Sequence, residues 1–278
     1  MAIDPDQLEQ SGRELSAMLK HLRKQAGLSG ARLAVRCNMS QSKISRIESN
    51  KGRPSLLDVE QILRGLDASP AVAAEAMAIA RIAQTEWQDG RTLRRKGLDK
   101  KQLQLAGLEA SSRTFRYFLL SMVTGLLATP EYVRASLAQA PPEQQAKAVA
   151  MKLDRQKVLF DRSKQFTFIL TEQAVRYPLV PPHELAMQID RLVSFTRQPN
   201  IRLGVIPMGV RFASGALNTF TVYDETLATT ELDLGAIVFR DNRDVQDLIG
   251  RFASYEEHAL FGDDARGRME VWAEDCRR

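Results

Sequence analysis

A short segment, residues 40–50, places hydrogen-bonding side chains on one face of a predicted helix. Four polar residues share that face: Gln41, Ser42, Ser45 and Arg46. Ile44 and Ile47 fall on the opposite face. Amide and hydroxyl groups donate and accept hydrogen bonds, and a guanidinium group donates them, so this face can bind a polar surface. Because one turn of isoleucine anchors a helix weakly, neighbouring helices are predicted to hold it.

Side chains that could perform catalysis are few and lie far apart. Three histidines occur in separate helical patterns: His21, His183 and His258. Glu172 and Glu231 each follow a predicted strand, and an acid–base pair is conceivable there, but nothing supplies a partner that activates water. Structural pairing with Arg155 or Arg202 is the preferred interpretation. We therefore predict no enzyme activity, no catalytic residues, no metal and no cofactor.

Length and composition bound the class of protein. The chain has 278 residues, enough for two domains, and its 44% hydrophobic and 26% charged residues are typical of globular proteins. No segment resembles a membrane span or a signal peptide. Cys37 and Cys276 stand far apart, with no spacing typical of a metal site. These features predict a cytoplasmic protein with reduced thiols and no membrane partner.

Positive charge is concentrated near the start of the chain. Residues 13–53 contain ten lysines and arginines against Glu14 and Glu48, a net charge of +8. Residues 117–278 contain 19 basic and 21 acidic residues. This asymmetry predicts a polyanion as partner for the N-terminal part alone. A solvated basic surface is the alternative interpretation.

Five short helices are predicted within residues 13–86. Leu15, Leu19 and Leu22 form the apolar stripe of the first helix, and Gly27 ends it. The next three helices follow serine N-caps: Ser29, Ser40 and Ser55. Asp58 completes a capping box with the last of these, and a fifth helix runs from Ser69–Pro70 towards Trp87. Residues 13–86 are therefore predicted to form a compact all-α domain.

The second and third helices are joined by a tight turn at residues 37–39, in which Asn38 is predicted to be left-handed. Two helices joined by such a turn form a helix-turn-helix arrangement. In this arrangement the second helix can enter the DNA major groove with its exposed polar face towards the bases. The arrangement assigns base reading to Gln41, Ser42, Ser45 and Arg46. Phosphate contact is predicted for five cations: Lys20, Arg32, Lys43, Lys51 and Arg53. One short helix reads few base pairs, so a homodimer on an inverted-repeat operator in double-stranded DNA is expected.

Other residues of this segment are predicted to hold the helix. Ile44 and Ile47 are expected to pack against three apolar side chains: Leu22, Leu33 and Val59. Glu48 is expected to tether the helix through a basic neighbour, because a carboxylate close to phosphate is repelled.

The remainder of the chain divides into a predicted basic linker with some helical tendency, 87–107, and an α+β domain, 108–278. The predicted strands are TFRYFLL, FTFILT, IRLGVIP, TFTVYD and GAIVFR. Helical patterns cover 130–138, 143–161, 183–197 and 244–259. Met187, Leu192 and Phe195 are assigned to a core stripe, and Trp272 is expected to pack the last helix.

Residues from Arg13 to about Leu66 resemble the XRE-type helix-turn-helix domain of phage repressors and many bacterial regulators. The segments LRKQAGLSGARLA and MSQSKISRIESNKGRPS carry the resemblance. They place Leu33 and Ala34 on the second helix, and Ser40 and Gln41 at the start of the third. The resemblance implies a five-helix, lambda-repressor-like fold and sequence-specific DNA binding.

Residues from about 108 onward are similar to actinobacterial regulators related to WhiJ. The segment VTGLLATPEYVRASL carries the main signature, and LDRQKVL, LTEQAV, QIDRLVSFTRQPNIRLGVIP and TTELDLGAIVFRD match further blocks. The resemblance implies an antitoxin-like transcriptional regulator that acts with a small companion protein encoded nearby.

Three functions remain open from the sequence. The first is a DNA-binding transcriptional regulator whose second domain dimerises, binds a small companion protein, or does both. The second is the antitoxin of a toxin–antitoxin pair. A DNA-tethered enzyme is the third and the least favoured, because no metal cluster or catalytic triad is visible.

Overall fold

The computed structural model describes residues 5–83, 85–89, 98–212, 215–232 and 235–278. These residues divide into two compact units. The first unit takes the described residues of 1–87 together with Ile237–Asp241, and the second takes the others. Of the predicted linker, 87–107, residues 90–97 lie outside the described ranges. None of the described helices is long and apolar enough to cross a membrane.

The first unit contains five described helices, as predicted. They are α1 (Pro5–Gln25), α2 (Gly30–Arg36), α3 (Gln41–Glu48), α4 (Leu56–Gly65) and α5 (Pro70–Ala83). The hydroxyls of Ser29, Ser40 and Ser55 cap α2, α3 and α4 by accepting a backbone N–H three residues later. The fifth helix ends before Trp87, and strand β1 (Thr85–Asp89) follows it.

The core of the first unit brings together all five helices. Ile44 and Ile47 of α3 are buried with Leu33 of α2 and Val59 of α4, and Leu22 of α1 packs against this cluster while partly buried. The predicted packing of α3 is therefore confirmed. A single turn of isoleucine suffices because apolar side chains from three other helices surround it.

Seven helices occur in the described part of the second unit. They are α6 (Leu98–Ser111), α7 (Pro130–Ala135), α8 (Pro142–Arg155), α9 (Glu172–Arg176), α10 (Pro182–Phe195), α11 (Asn242–Glu256) and α12 (Gly262–Arg277). A 3-10 helix, Gln156–Phe160, follows α8. The strands after β1 are β2 (Thr114–Leu119), β3 (Gln165–Thr171), β4 (Ile201–Ile206), β5 (Phe220–Tyr223), β6 (Leu227–Leu232) and β7 (Gly235–Phe239).

The sheet of the second unit is mixed, with the order β6-β5-β2-β3-β4. Strands β2, β3 and β4 run parallel, and β5 runs antiparallel to both β2 and β6. Helices α10 and α12 pack on each other, and α12 also packs on β4. This arrangement confirms the predicted α+β class.

Several predictions for the second unit need correction. Glu231 lies within β6 and does not follow a strand, and Met187 is largely exposed although Leu192 and Phe195 are buried. Trp272 is buried in α12, as expected. The predicted partners of Glu172 are wrong, because this carboxylate pairs with Arg176 of its own helix at 3.0 Å.

The two arginines proposed as its partners are engaged elsewhere. Arg155 binds Glu109, and Arg202 binds Glu256. Both carboxylates are distant in sequence from the arginine they bind, so sequence spacing does not reveal the pairs.

Candidate nucleic-acid interface

The turn between α2 and α3 is closed by backbone hydrogen bonds. The N–H of Cys37 donates to Leu33 O at 2.9 Å, and the N–H of Met39 donates to Ala34 O at 2.9 Å. Asn38 has a φ of 52°, so the predicted left-handed residue is confirmed. The turn directs the chain into α3, which begins at Gln41.

One face of α3 is presented to solvent. The four side chains predicted to read bases are all exposed: Gln41, Ser42, Ser45 and Arg46. Ile44 and Ile47 are buried on the other face. The Ser42 Oγ lies 3.0 Å from Ser40 Oγ, so this hydroxyl shares a hydrogen bond with the N-cap. The structure therefore brings the four predicted side chains onto one accessible surface, as the helical period requires.

Arg46 differs from the other three in its surroundings. Its carbonyl accepts hydrogen bonds from the N–H groups of Lys51 and Gly52, at 2.9 and 3.1 Å. A Cβ added to Gly52 would lie 3.6 Å from Arg46 Nε, so the guanidinium leans over the turn that follows α3. Arg46 is thus beside the predicted phosphate contact Lys51, whereas Gln41 stands at the opposite end of α3.

A cleft of about 240 Å³ opens beside α3. Its lining includes Lys20 of α1 together with Gln41 and Ser45 of α3. The structure therefore places a cation predicted to contact phosphate next to two side chains predicted to read bases. Arg32, Lys51 and Arg53 are exposed elsewhere on the first unit.

A bidentate ion pair fixes α3 to α1. Arg23 Nε and Nη2 donate to the two carboxylate oxygens of Glu48, at 2.6 and 2.8 Å. Arg23 Nη1 also donates to Leu28 O at 2.8 Å. The two side chains are only 14% and 10% exposed, and the hydrogen bond to Glu48 raises the pKa of Arg23. The predicted tether of Glu48 is confirmed, and its partner, which the sequence does not identify, is Arg23.

A second ion pair fixes α3 to α4. Lys43 Nζ lies 2.7 Å from Asp58 Oδ1, and Asp58 Oδ2 accepts the Ser55 N–H at 3.0 Å. Burial opposes ionisation of Asp58, but the hydrogen bonds from Lys43 and Ser55 outweigh it and lower the pKa of Asp58. Lys43 was predicted to contact phosphate, and the structure shows it bound to the capping box of α4.

The second unit contains a buried polar cluster of its own. Arg155 of α8 donates to Glu109 at 2.9 Å and to Gln102 at 2.5 Å, and both acceptors lie on α6. Burial raises the pKa of Tyr117 and of Tyr223, with Glu109 adding to the effect in both. This cluster joins α6 to α8.

Within the described ranges, no group of three or more His, Cys, Asp and Glu is placed to hold a metal ion.

The fold and the α3 surface define the first unit as a helix-turn-helix DNA-binding domain. Residues 14–76 match the helix-turn-helix domain family HTH_31. Residues 102–270 match the domain of unknown function DUF5753. Because this match spans more than half of the chain, the protein belongs to the DUF5753 family. A search of curated proteins found no match.

Two solved structures show distant likeness. NucT from Helicobacter pylori aligns with a TM-score of 0.37 and 9% identity, over 64% of this chain and 98% of NucT. TrmBL2, described as an archaeal chromatin protein with a novel mode of DNA binding, aligns with a TM-score of 0.33 and 13% identity. That alignment covers 64% of this chain and 53% of TrmBL2. Neither likeness is close enough to assign a function.

Proposed function

We propose that this protein is a sequence-specific transcriptional regulator that reads double-stranded DNA with α3. The observation that supports the proposal is the exposed polar face of α3 on a helix held in place from both sides. Arg23 ties the helix to α1, and Asp58 ties it to α4. A recognition helix must enter the groove in one orientation, so it has to be held rigidly on its domain. Two ion pairs and the buried isoleucines hold α3 in this way.

Self-association belongs to the same proposal. Helix α3 has eight residues, so one copy reaches only a few base pairs. Two copies on an inverted repeat would place their recognition helices about 34 Å apart, one turn of the duplex. Footprinting of genomic fragments at physiological salt tests this directly. We expect protection of two half-sites about one helical turn apart, and protection no stronger than on random DNA would refute the proposal.

Base reading and phosphate contact predict different responses to substitution. Gln41→Ala should weaken operator binding by roughly 1–2 kcal/mol and relax base preference at one position of each half-site. Lys51→Ala should weaken binding to operator and random DNA equally and reduce the salt dependence, because one fewer counterion is released. Titrations of both DNAs at several salt concentrations measure the difference.

Arg46→Ala is informative in the same assay, because Arg46 leans over the turn next to Lys51. A loss confined to the operator would assign Arg46 to base reading. Equal losses on operator and random DNA would assign it to phosphate. Arg64→Ala, which removes an exposed cation of α4 that pairs with Glu60, is the matched control and should leave both affinities unchanged.

The second unit is proposed to act as a receiver of a signal and not as an enzyme. Residues 117–278, which make up most of this unit, contain 19 basic and 21 acidic residues, so that part gains little from approaching DNA. The similarity to WhiJ-like regulators supports a small companion protein encoded nearby as the signal, with antitoxin action as a special case of the same binding. The companion must then bind the DNA-bound and DNA-free states with different affinity, typically by about 1–3 kcal/mol.

A further inference from the structure

One face of helix α5 is exposed to solvent along the whole helix. The opposite face carries Ala76, Ala80 and Ala83, which are buried in the core of the first unit. The exposed positions recur every three or four residues, so they form one continuous strip. We call this strip the outer face of α5. Its six residues are Ala71, Ala74, Glu75, Ala78, Arg81 and Ile82.

The outer face of α5 is mainly apolar. Four of its six residues are apolar, and the largest of them, Ile82, is 45% exposed. Exposed apolar side chains that form a contiguous patch mark an interaction surface. The other three are alanines, and the distance between packed helices depends on the size of the side chains at their contact. The outer face therefore suits close packing against another helix.

The two charged residues of the outer face have opposite signs and are not used within the first unit. Glu75 and Arg81 form no hydrogen bond or ion pair with any residue of the described ranges. They lie six residues apart on the helix, whereas only side chains three or four residues apart are neighbours there, so they do not pair with each other. Both side chains are therefore free to pair with a partner molecule.

The outer face is symmetric about Ala78. Ala74 and Ile82 lie four residues to either side of this position, and Glu75 and Arg81 lie three residues to either side. In an antiparallel pair of α5 helices with a two-fold axis at Ala78, residues equally far from the axis lie at the same height. Glu75 of each copy then lies level with Arg81 of the other, and the small Ala74 lies level with Ile82. The face is thus complementary to itself in charge and in size.

We propose that α5 packs against α5 of a second copy in this antiparallel arrangement. The inference rests on the proposed function, because it names the surface through which two copies meet on an inverted repeat. A second copy is the partner that the symmetry favours, since one contact satisfies both charges in both copies. A nucleic acid fits the face less well, because Glu75 repels phosphate.

The contact is small, so it acts mainly on DNA. Helix α5 has 14 residues and is about 21 Å long. One face of such a helix covers much less than the ~800 Å² that each partner buries in a stable interface. Two adjacent half-sites hold two copies at a high effective concentration, and the contact then stabilises the second copy to bind. Binding to the two half-sites is therefore cooperative.

The first test needs no DNA. Ala78→Cys places two thiols opposite each other at the axis, so mild oxidation of the concentrated full-length protein should give a disulfide-linked dimer. Ala71→Cys is the matched control, because position 71 lies about 21 Å from its own copy in this arrangement. Cys37 and Cys276 are present in both variants and in the unmodified protein, which gives the background. Cross-linking of Ala78→Cys no stronger than that of the control would overturn the arrangement.

The second test compares the operator found by footprinting with a fragment that holds a single half-site. Glu75→Arg and Arg81→Glu each bring like charges level with one another, so each should lower the cooperativity between half-sites about tenfold. The double variant Glu75→Arg, Arg81→Glu should recover it, because every level pair again has opposite signs. Glu60→Arg on α4 makes the same charge change as Glu75→Arg away from the outer face and should keep the cooperativity of the unmodified protein.

The outcomes separate this inference from the proposed function. Cross-linking at position 78 without any operator footprint would refute DNA reading and support the α5 pair. A footprint of two half-sites with cooperativity unchanged in both single variants would overturn the α5 pair and leave DNA reading intact. Cooperativity lost in the single variants and not recovered in the double variant would overturn the antiparallel arrangement, because positions 75 and 81 meet only between copies.

Discussion

Glu48→Ala should lower the free energy of unfolding of the helix-turn-helix unit by about 3 kcal/mol. The substitution leaves the Arg23 guanidinium largely buried without its carboxylate, and an unpaired buried charge costs about 3–5 kcal/mol. Hydrogen exchange of the α1 and α3 amides in the full-length protein measures the loss in this unit alone. DNA affinity should fall as well, because α3 loses its attachment to α1.

The matched control is Glu60→Ala, which breaks the exposed pair of Glu60 with Arg64 on α4. An exposed pair contributes about 0–1 kcal/mol, so this variant should remain close to the unmodified protein. The double variant Arg23→Met, Glu48→Met should recover most of the stability, since neither charge then remains buried. Equal exchange rates in Glu48→Ala and Glu60→Ala would show that the Arg23–Glu48 pair does not hold α3.

Gly204→Ala should destabilise the second unit by about 3 kcal/mol. A Cβ on Gly204 of β4 would lie 2.5 Å from the ring of Phe261, closer than a real contact allows. The ring cannot move aside easily, because the Arg202 guanidinium carbon lies over it, 3.9 Å from the ring centroid. The preceding residue, Leu260, is also held, since its backbone N–H and C=O both form hydrogen bonds with Val205. Overpacking of this kind costs about 1–3 kcal/mol, and the held ring puts Gly204 at the upper end.

Gly250→Ala on α11 is the control for this substitution, since nothing lies within 4 Å of the added Cβ there. Alanine is the better helix former, so this variant should be unchanged or more stable by about 0.5–1 kcal/mol. Hydrogen exchange in β3 and β4 measures both variants. Adding Phe261→Leu to Gly204→Ala should restore part of the loss. A Gly204→Ala protein as stable as the unmodified one would mean that the ring moves freely.

The sequence by itself determined the helix-turn-helix unit in detail. Its signals are local: Ser40 caps α3 from three residues away, Asn38 supplies a left-handed turn, and Ile44 and Ile47 repeat with the helical period. Such signals act within one or two turns of the chain, so they can be read before the tertiary structure is known. The exposed face with Gln41 follows from the same period.

Strand β6 and the extent of helix α6 were decided only by the tertiary structure. The segment LATTEL does not alternate apolar and polar residues as a half-buried strand does, and it forms β6 because its backbone pairs with β5. Helix α6 occupies part of the region predicted to be a linker, and Arg155 holds it through Glu109, 46 residues earlier in the chain.

The partners of charged residues were likewise decided by the tertiary structure. Glu48 was predicted to have a basic partner, but several cations lie nearby in sequence, and only the packing of α1 against α3 selects Arg23. Lys43 lies among exposed side chains of α3, yet the position of α4 directs it to Asp58. Ion pairs and sheet edges depend on which distant segments the fold brings within a few ångströms, and no local pattern in the chain encodes that distance.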